Sequence, residues 1–426
     1  MLNLLYQFII KCYGMAIAIA ALFNEKAKLL KRGQQQSFSY LKEKISHHHP
    51  IVWIHAASLG EFEQGRPLIE HIKTHFPNYQ ILLTFFSPSG YEVRKNYTEA
   101  DYICYLPLDS RKNAHRFLEI TKPELVFFVK YEFWTNYFQE IKSRNIPLYM
   151  VSCIFRQEQT FFKTNAIGKW YQKTLHHVNH FFVQHEDSGK LLEKIKLNNF
   201  TITGDTRFDR VHAIAQQGKQ LPIVAQFKGN SKLLVVGSSW LADEEILKPF
   251  IDKNPHIKVI FAPHELKETN INRLLNFGTK ALKYSQLNES ELNSAQVLVI
   301  DCMGLLSSIY RYADVSYIGG GFGVGIHNTL EAAIFNIPVV FGPNHKRFNE
   351  ALELINRKIA FSITSSTEAN EELQRLFNSE EIRVEIAKKC QSFMLENIGA
   401  TSKIAQFVFH QTKENNKTKS AQITCR

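Results

Sequence analysis

Residues 315–343 read VSYIGGGFGVGIHNTLEAAIFNIPVVFGP. The run parses as a buried strand (Val315–Ile318), a glycine-rich loop, a helix opening at Asn328, and a second strand (Val339–Phe341). Strand, loop, helix and strand in that order predict one βαβ unit of a parallel sheet. Gly319, Gly320, Gly321, Gly323 and Gly325 remove side-chain bulk, so a ligand can approach the loop backbone. A helix start behind the loop would direct unpaired N–H groups at phosphate. Val324 and Ile326 stand where G-x-G-x-x-G would need its third glycine. The loop therefore suits a nucleotide sugar better than a dinucleotide.

Outward from this run the pattern repeats. Apolar runs at Leu233–Val236, Val259–Ala262, Val297–Ile300 and Ala360–Ile363 share its half of the chain. A first series precedes it, at Val52–Ala57, Ile81–Phe86, Tyr102–Leu106, Leu125–Val129, Leu148–Val151, Phe181–Val183 and Phe200–Thr203. Helical patterns lie between, among them Glu61–Phe76, Ser110–Ile120 and Tyr131–Arg144. Continuous apolar strands alternating with helices predict two doubly wound domains, with ligands at the carboxyl ends of the strands and the cleft between domains. Residues 211–230 are polar and lack a strand signal, so they read as the linker. The expected division is 1–24 for an amino-terminal helix, 25–212 and 213–412 for the two domains, and 413–426 for a basic tail.

The 426 residues carry a formal net charge of +11, with 44% hydrophobic content. Such a charge favours anionic partners. No nucleic-acid-binding signature accompanies it, so a membrane surface or a phosphorylated substrate is expected rather than nucleic acid. The six cysteines are scattered, which suits reduced thiols and neither a disulfide framework nor a zinc site. Residues 2–23 are mostly apolar and as a helix would extend ~33 Å, about one hydrocarbon core. Asn3, Gln7 and Lys11 form a polar stripe, and Lys26, Lys28, Lys31 and Arg32 follow as a basic cluster suited to anionic headgroups. A membrane anchor, spanning or lying in the interface, is the preferred reading over a signal peptide or a buried helix.

Chemistry-bearing residues gather at strand ends. Ser58-Leu59-Gly60-Glu61 follows the first strand; Glu61 is either a general base or the partner of Ser58 in a capping box. Glu132, in Lys130-Tyr131-Glu132-Phe133-Trp134-Thr135-Asn136, is either a second functional carboxylate or a first-turn glutamate beside core aromatics. In Gly204-Asp205-Thr206-Arg207-Phe208-Asp209, Arg207 either faces a leaving phosphate or pairs with Asp209. Ser238 and Ser239 touch phosphate or sugar, or cap a helix. Pro263-His264 and Met303-Gly304-Leu305 occupy loop tops that could read a base. Asn328-Thr329-Leu330-Glu331 combines an asparagine cap with a glutamate that could accept ribose hydroxyls.

In this order the motifs resemble those of the 3-deoxy-D-manno-octulosonic acid (Kdo) transferases of Gram-negative bacteria, from the amino terminus to about residue 400. The resemblance implies a GT-B glycosyltransferase: two Rossmann-like domains, an interdomain cleft and an amino-terminal membrane-associated helix. It implies inverting transfer of Kdo from CMP-Kdo to a lipid A precursor (lipid IVA), without metal or other cofactor, at the cytoplasmic face of the inner (plasma) membrane. Residues 1–32 would contact membrane lipids. By analogy Glu61 is the base, while Glu132 and Arg207 stabilise the transition state. Ser58 and Gly60 would face the acceptor. Ser238, Ser239, Pro263, His264, Met303, Gly304, Leu305, Gly320, Gly321, Asn328, Thr329, Leu330 and Glu331 would hold the donor. The chain departs from the family's usual pattern at Thr135 (often proline), at Leu305 (often glutamate), at Ile326, and at His264-Glu265, where Arg-His is usual. His264, Arg207 and Lys346 are the candidates to replace that arginine at the phosphate. The alternatives are a GT-B enzyme using a UDP-sugar, transferase or epimerase, and a non-catalytic membrane-associated nucleotide-sugar binding protein.

Overall fold

The computed structural model describes residues 2–409. It forms two compact units, one of residues 2–210 with the segment beginning at Gly399, the other of residues 211–398. The expected basic tail over 413–426 lies outside the described residues.

The first unit holds a seven-stranded parallel sheet in the order β3-β2-β1-β4-β5-β6-β7. Its strands are β1 (Ile51–His55), β2 (Gln80–Phe85), β3 (Tyr102–Tyr105), β4 (Leu125–Val129), β5 (Leu148–Cys153), β6 (His180–Val183) and β7 (Phe200–Ile202). β1, β3, β4 and β5 are buried along their whole length, as a sheet covered on both faces requires. Alternation along β1 sends Val52 and Ile54 into one core and Ile51 and Trp53 into the other. Six helices open this unit: α1 (Leu2–Ala20), α2 (Glu25–Lys44), α3 (Leu59–His75), α4 (Pro88–Arg94), α5 (Arg111–Thr121) and α6 (Thr135–Ser143). α2, α5 and α6 cover the Trp53 side with Leu41, Phe117 and Tyr137, while α3 covers the other with Phe62, Leu68 and Ile72.

The polar stripe of α1 faces the protein. Tyr6 donates to the Asp109 carboxylate at 2.5 Å, Gln7 to the Asn136 side chain at 2.6 Å, and the Trp170 indole to Asn3 at 2.5 Å. Asp109 also accepts the N–H groups of Asn136 and Tyr137 at the start of α6. Lys11, the third member of the stripe, is exposed.

The second unit repeats the plan, with the order β10-β11-β9-β8-β12-β13-β14, all parallel. Its strands are β8 (Leu233–Ser239), β9 (Lys258–Pro263), β10 (Ala281–Lys283), β11 (Val297–Val299), β12 (Val315–Ile318), β13 (Val339–Phe341) and β14 (Ala360–Ser362). β10 has no counterpart among the expected strands: a three-residue edge strand reading Ala-Leu-Lys has no apolar run to reveal it. The expected linker is largely helical, since helices Arg207–Gln217 and Pro222–Lys228 occupy most of 211–230. The sequence carries the second domain to residue 412, whereas the structure returns the chain to the first unit at Gly399. Residues 400–409 are helical and place Ile404, Val408 and Phe409 in the core beside α3. Phe409 stacks on Phe76 at 4.1 Å.

Asp209 fixes that return. Its carboxylate accepts the N–H groups of Gly399 (2.6 Å) and Thr401 (2.7 Å) and the Thr401 hydroxyl (2.6 Å). Hydrogen bonds to an ionised acceptor are among the stronger kind. Asp209→Ala is expected to destabilise the protein by about 2 kcal/mol, read as a lower urea midpoint at unchanged slope.

Candidate active site at the strand crossover points

In each sheet the strand order reverses next to its first strand: between β1 and β4 in the first unit, between β8 and β12 in the second. Loops leaving such a pair part to opposite faces and open a crevice at the carboxyl ends. Ser58, Gly60, Glu61 and Glu132 follow β1 and β4 at the first point, and Ser238, Ser239 and the loop after β12 stand at the second. Arg207 follows β7, Pro263-His264 ends β9 and Met303–Leu305 follows β11.

Glu61 follows β1 and lies in the first turn of α3, 7% exposed. Its Oε2 accepts the Ser58 N–H at 2.8 Å and the Ser58 hydroxyl at 3.1 Å, so the capping interaction is real. Burial raises its pKa, and the charge of Lys130 together with the bonds from Ser58 and Ala57 offsets part of that rise. A raised carboxylate is a stronger base once ionised, so the capping contact holds the side chain without excluding proton transfer. Gly60 has open space where a Cβ would stand.

Glu132 follows β4. The helix expected from Tyr131 starts instead at Thr135, which leaves Lys130–Trp134 as an irregular loop. Glu132 is therefore outside the helix, and its Oε2 accepts the Trp134 indole N–H at 2.8 Å. Burial first, then repulsion from Glu61, push its pKa up to about 7. Two carboxylates thus share the crevice, and the second is close to half-protonated at neutral pH.

Lys130 lies between these motifs and was not singled out from the sequence. Its φ of 63° puts a bulky residue in the left-handed region, a strained conformation that clusters at functional sites. Its charge lowers both Glu61 and Asp205. Ser238 has the same conformation, with φ of 54°, at the irregularity between Gly237 and Ser239 that ends β8.

Arg207 pairs with Asp205 rather than Asp209. Its Nε and Nη2 reach Asp205 Oδ2 at 2.8 and 2.6 Å, and its N–H reaches Oδ1 at 2.9 Å. Burial favours the neutral acid at Asp205, but the charge and hydrogen bonds of Arg207 prevail, aided by Lys130, and hold it below the usual range. His55, at the end of β1, is fully buried against Phe128 and Trp134. Burial lowers it to about 3, so it is a neutral wall of the crevice.

In the second unit the glycine loop is packed against its own chain. A Cβ on Gly319 would meet the Ser238 carbonyl at 2.2 Å, and one on Gly321 the Gly342 nitrogen at 2.5 Å. The Gly320 N–H donates to Asp243 at 2.8 Å. These glycines let the ends of β8, β12 and β13 approach, a packing role beside the expected one toward a ligand. The helix expected from Asn328 is a single turn, Leu330–Ala333, and the Asn328 side chain already caps the Leu330 N–H at 3.1 Å. It presents no phosphate-binding terminus. Glu331 accepts the Ser307 hydroxyl at 2.6 Å and the Asn328 amide at 3.1 Å. Ser239 is buried and donates to Glu244 at 2.9 Å, so it serves the interior.

Other expected donor residues are more open. Met303 is 81% exposed, beside Gly304 with φ of 88° and Leu305. His264 follows Pro263 and forms a stack, with Trp240 at 4.7 Å on one side and His327 at 4.4 Å on the other. Burial and the neighbouring His264 lower His327 to about 4. Trp240 and Asp243 carry this arrangement and were not singled out from sequence, because a tryptophan after a strand reads equally well as core.

A family model described as 3-deoxy-D-manno-octulosonic-acid transferase (kdotransferase) matches residues 30–210. The 3-deoxy-D-manno-octulosonic acid transferase of Haemophilus influenzae is 26% identical over 367 residues, 83% of this chain and 85% of that protein. That of Aquifex aeolicus is 28% identical over 356 residues, 81% of this chain and 91% of that protein. The chain is similar to the Kdo transferases over most of its length, and residues 30–210 match their family model. UDP-GlcNAc 2-epimerase from Neisseria meningitidis, bound to UDP-GlcNAc, matches with a TM-score of 0.59 at 15% identity, over 85% of this chain and 100% of that one. At that identity the likeness shows the fold alone, which is GT-B. The similarity to the Kdo transferases supports a glycosyltransferase, and Glu61, Lys130, Glu132, Asp205 and Arg207 all lie in the part that the family model matches.

The Glu132 environment has a thermodynamic consequence. Its folded pKa of about 7 lies above the ordinary 4.5, so its contribution to stability is complete below about 4.5 and is lost as pH rises through 7. Glu132→Gln cannot ionise. The melting temperature of that variant relative to wild type is expected to climb between pH 5 and pH 8, and a pH-independent difference would show an ordinary solvated carboxylate.

Proposed function

We propose that the protein is a Kdo transferase that moves Kdo from CMP-Kdo to a hydroxyl of a lipid A precursor such as lipid IVA, with inversion at the anomeric carbon. The observation that carries the reading is the pairing of Glu61 and Glu132 at one crossover point, with Lys130 and the Asp205–Arg207 pair in the same unit.

Glu61 takes the proton of the acceptor hydroxyl as its oxygen bonds to the anomeric carbon. The bond from that carbon to the CMP phosphate oxygen breaks, and the electron pair leaves with CMP. Glu132, about half protonated at neutral pH through burial and the charge of Glu61, donates a hydrogen bond in its protonated form where a second full negative charge would oppose the reaction. Arg207, preset by Asp205, supplies fixed positive charge for the departing phosphate, and fixed charge needs no reorganisation at the moment of transfer. Ser58 and Gly60 border the acceptor hydroxyl; the absence of bulk at Gly60 supports that role.

The donor is assigned to the second unit. His264, Met303–Leu305, Asn328 and Glu331 stand at its strand ends, with Ser238 and Pro263 beside them. Glu331 is positioned by Ser307 and Asn328 to accept ribose hydroxyls. Thr329 and Leu330 are buried and shape the turn that carries it. Gly320, Gly321 and Ser239 act here by holding the loops together. Membrane association at the cytoplasmic face of the inner membrane is inferred from α1, which is long and apolar enough to cross a bilayer by length and composition.

Mass spectrometry of the products formed from CMP-Kdo and a tetra-acylated lipid A precursor tests the reading directly. Glu61→Gln is expected to lower turnover by about 10²- to 10⁴-fold while CMP still raises the melting temperature. Unchanged turnover would remove Glu61 as base. Stabilisation by UDP but not CMP would point to a UDP-sugar enzyme.

A further inference from the structure

α1 is amphipathic in the reverse sense to a helix of a soluble domain. Leu4 (74% exposed), Phe8, Met15 and Ile19 share one outward face. At 100° per residue these positions form a single stripe. The opposite face carries Asn3, Tyr6 and Gln7, all hydrogen-bonded to the first unit, and Ile17, buried against Leu30 and Tyr105. Gly14 permits the approach, since a Cβ there would stand 3.0 Å from Leu108. A spanning α1 would strip Asn3, Tyr6 and Gln7 of those partners in a medium without water to replace them. An outward apolar stripe of this length requires a cover.

A groove of about 410 Å³ runs between α1, α2 and α5. Ile17, Ala18, Phe38 and Leu108 form its apolar part, and Lys31 and Arg116 its charged part. The Arg116 guanidinium is held 4.3 Å over the Phe38 ring. No carboxylate pairs with Lys31 or Arg116 among the described residues. Two cations beside apolar surface match a phosphate joined to hydrocarbon, and Lys26 and Arg32 on α2 extend the positive field along the same helix.

We propose that this groove binds the phosphate headgroup of an anionic membrane phospholipid, with α1 lying along the bilayer interface and its outward stripe in the acyl boundary. The proposal extends the membrane reading above and is independent of the donor and of Glu61. It identifies Arg116, distant in sequence from the basic cluster, as part of the lipid-contacting surface.

Flotation of the full-length protein with phosphatidylcholine vesicles, with and without phosphatidylglycerol, tests it. Wild type is expected to prefer the phosphatidylglycerol vesicles. Lys31→Glu with Arg116→Glu should weaken that binding at least tenfold and leave turnover on detergent-dispersed acceptor intact. Phe8→Glu with Ile19→Glu should abolish binding to both vesicles. An undiminished phosphatidylglycerol preference in the charge-reversed protein overturns the groove. Lys11 reports the posture of α1, since it sits at mid-helix and would lie at the bilayer centre if α1 spanned. A membrane-impermeant amine reagent should modify it on vesicle-bound wild type, and protection overturns the flat arrangement. Flotation reads out even if the protein transfers no Kdo, so the two readings fail separately.

Discussion

Two acidic side chains at the ends of adjacent parallel strands face a double penalty, because burial and mutual repulsion both oppose ionisation. Glu61 and Glu132 are in that position, and much of the first unit's local structure answers it. Lys130 takes a left-handed backbone conformation, and its positive charge acts on Glu61 and Asp205. The Trp134 indole supplies a neutral donor to Glu132. Asp205 compensates Arg207, so the guanidinium after β7 has a fixed direction. The result is an unequal pair, one carboxylate relieved by a cation and hydrogen bonds, the other left near pKa 7. Unequal neighbouring carboxylates are what acid–base chemistry at neutral pH needs.

The second unit uses its acids differently. Asp243 accepts from Trp240, Tyr317 and Gly320, and thereby ties the start of one helix to β12 and its loop. Glu244 joins Ser239 to Arg273. Glu331 is held by two side chains at the rim of the crossover point. Here carboxylates make loops rigid, and the glycines let backbones meet. Binding a donor by backbone and aromatic surfaces calls for rigidity rather than tuned proton affinity.

The parallel sheets were legible because strands buried on both faces leave continuous apolar runs. β10 was not, because an edge strand of three residues needs no such run. Glu61 was legible in both its roles at once, and the structure shows why the choice stayed open: one oxygen serves the cap while burial still raises its basicity. Lys130 was invisible, since positive φ at a lysine follows from where the strand and loop must go, and no local composition encodes it. The start of α6 was misplaced for a related reason. Tyr131–Trp134 has helical spacing, but Asp109, far away in sequence, claims the N–H groups of Asn136 and Tyr137 and sets the first turn there. Long-range hydrogen bonds of this kind override local periodicity.

Asp109 also connects the site to α1, since the same carboxylate that starts α6 accepts the Tyr6 hydroxyl. A second path runs through rings: Tyr13 of α1 stacks near Phe86, Phe86 meets Trp134 edge-on at 4.9 Å, and Trp134 holds Glu132. An anchor whose only task is attachment would need neither path, because a flexible tether attaches as well. The polar stripe of α1 therefore carries more meaning than its apolar length. It fastens the helix to the elements that aim Glu132, so the exposed apolar face of α1 and the carboxylate at the crossover point belong to one packed assembly.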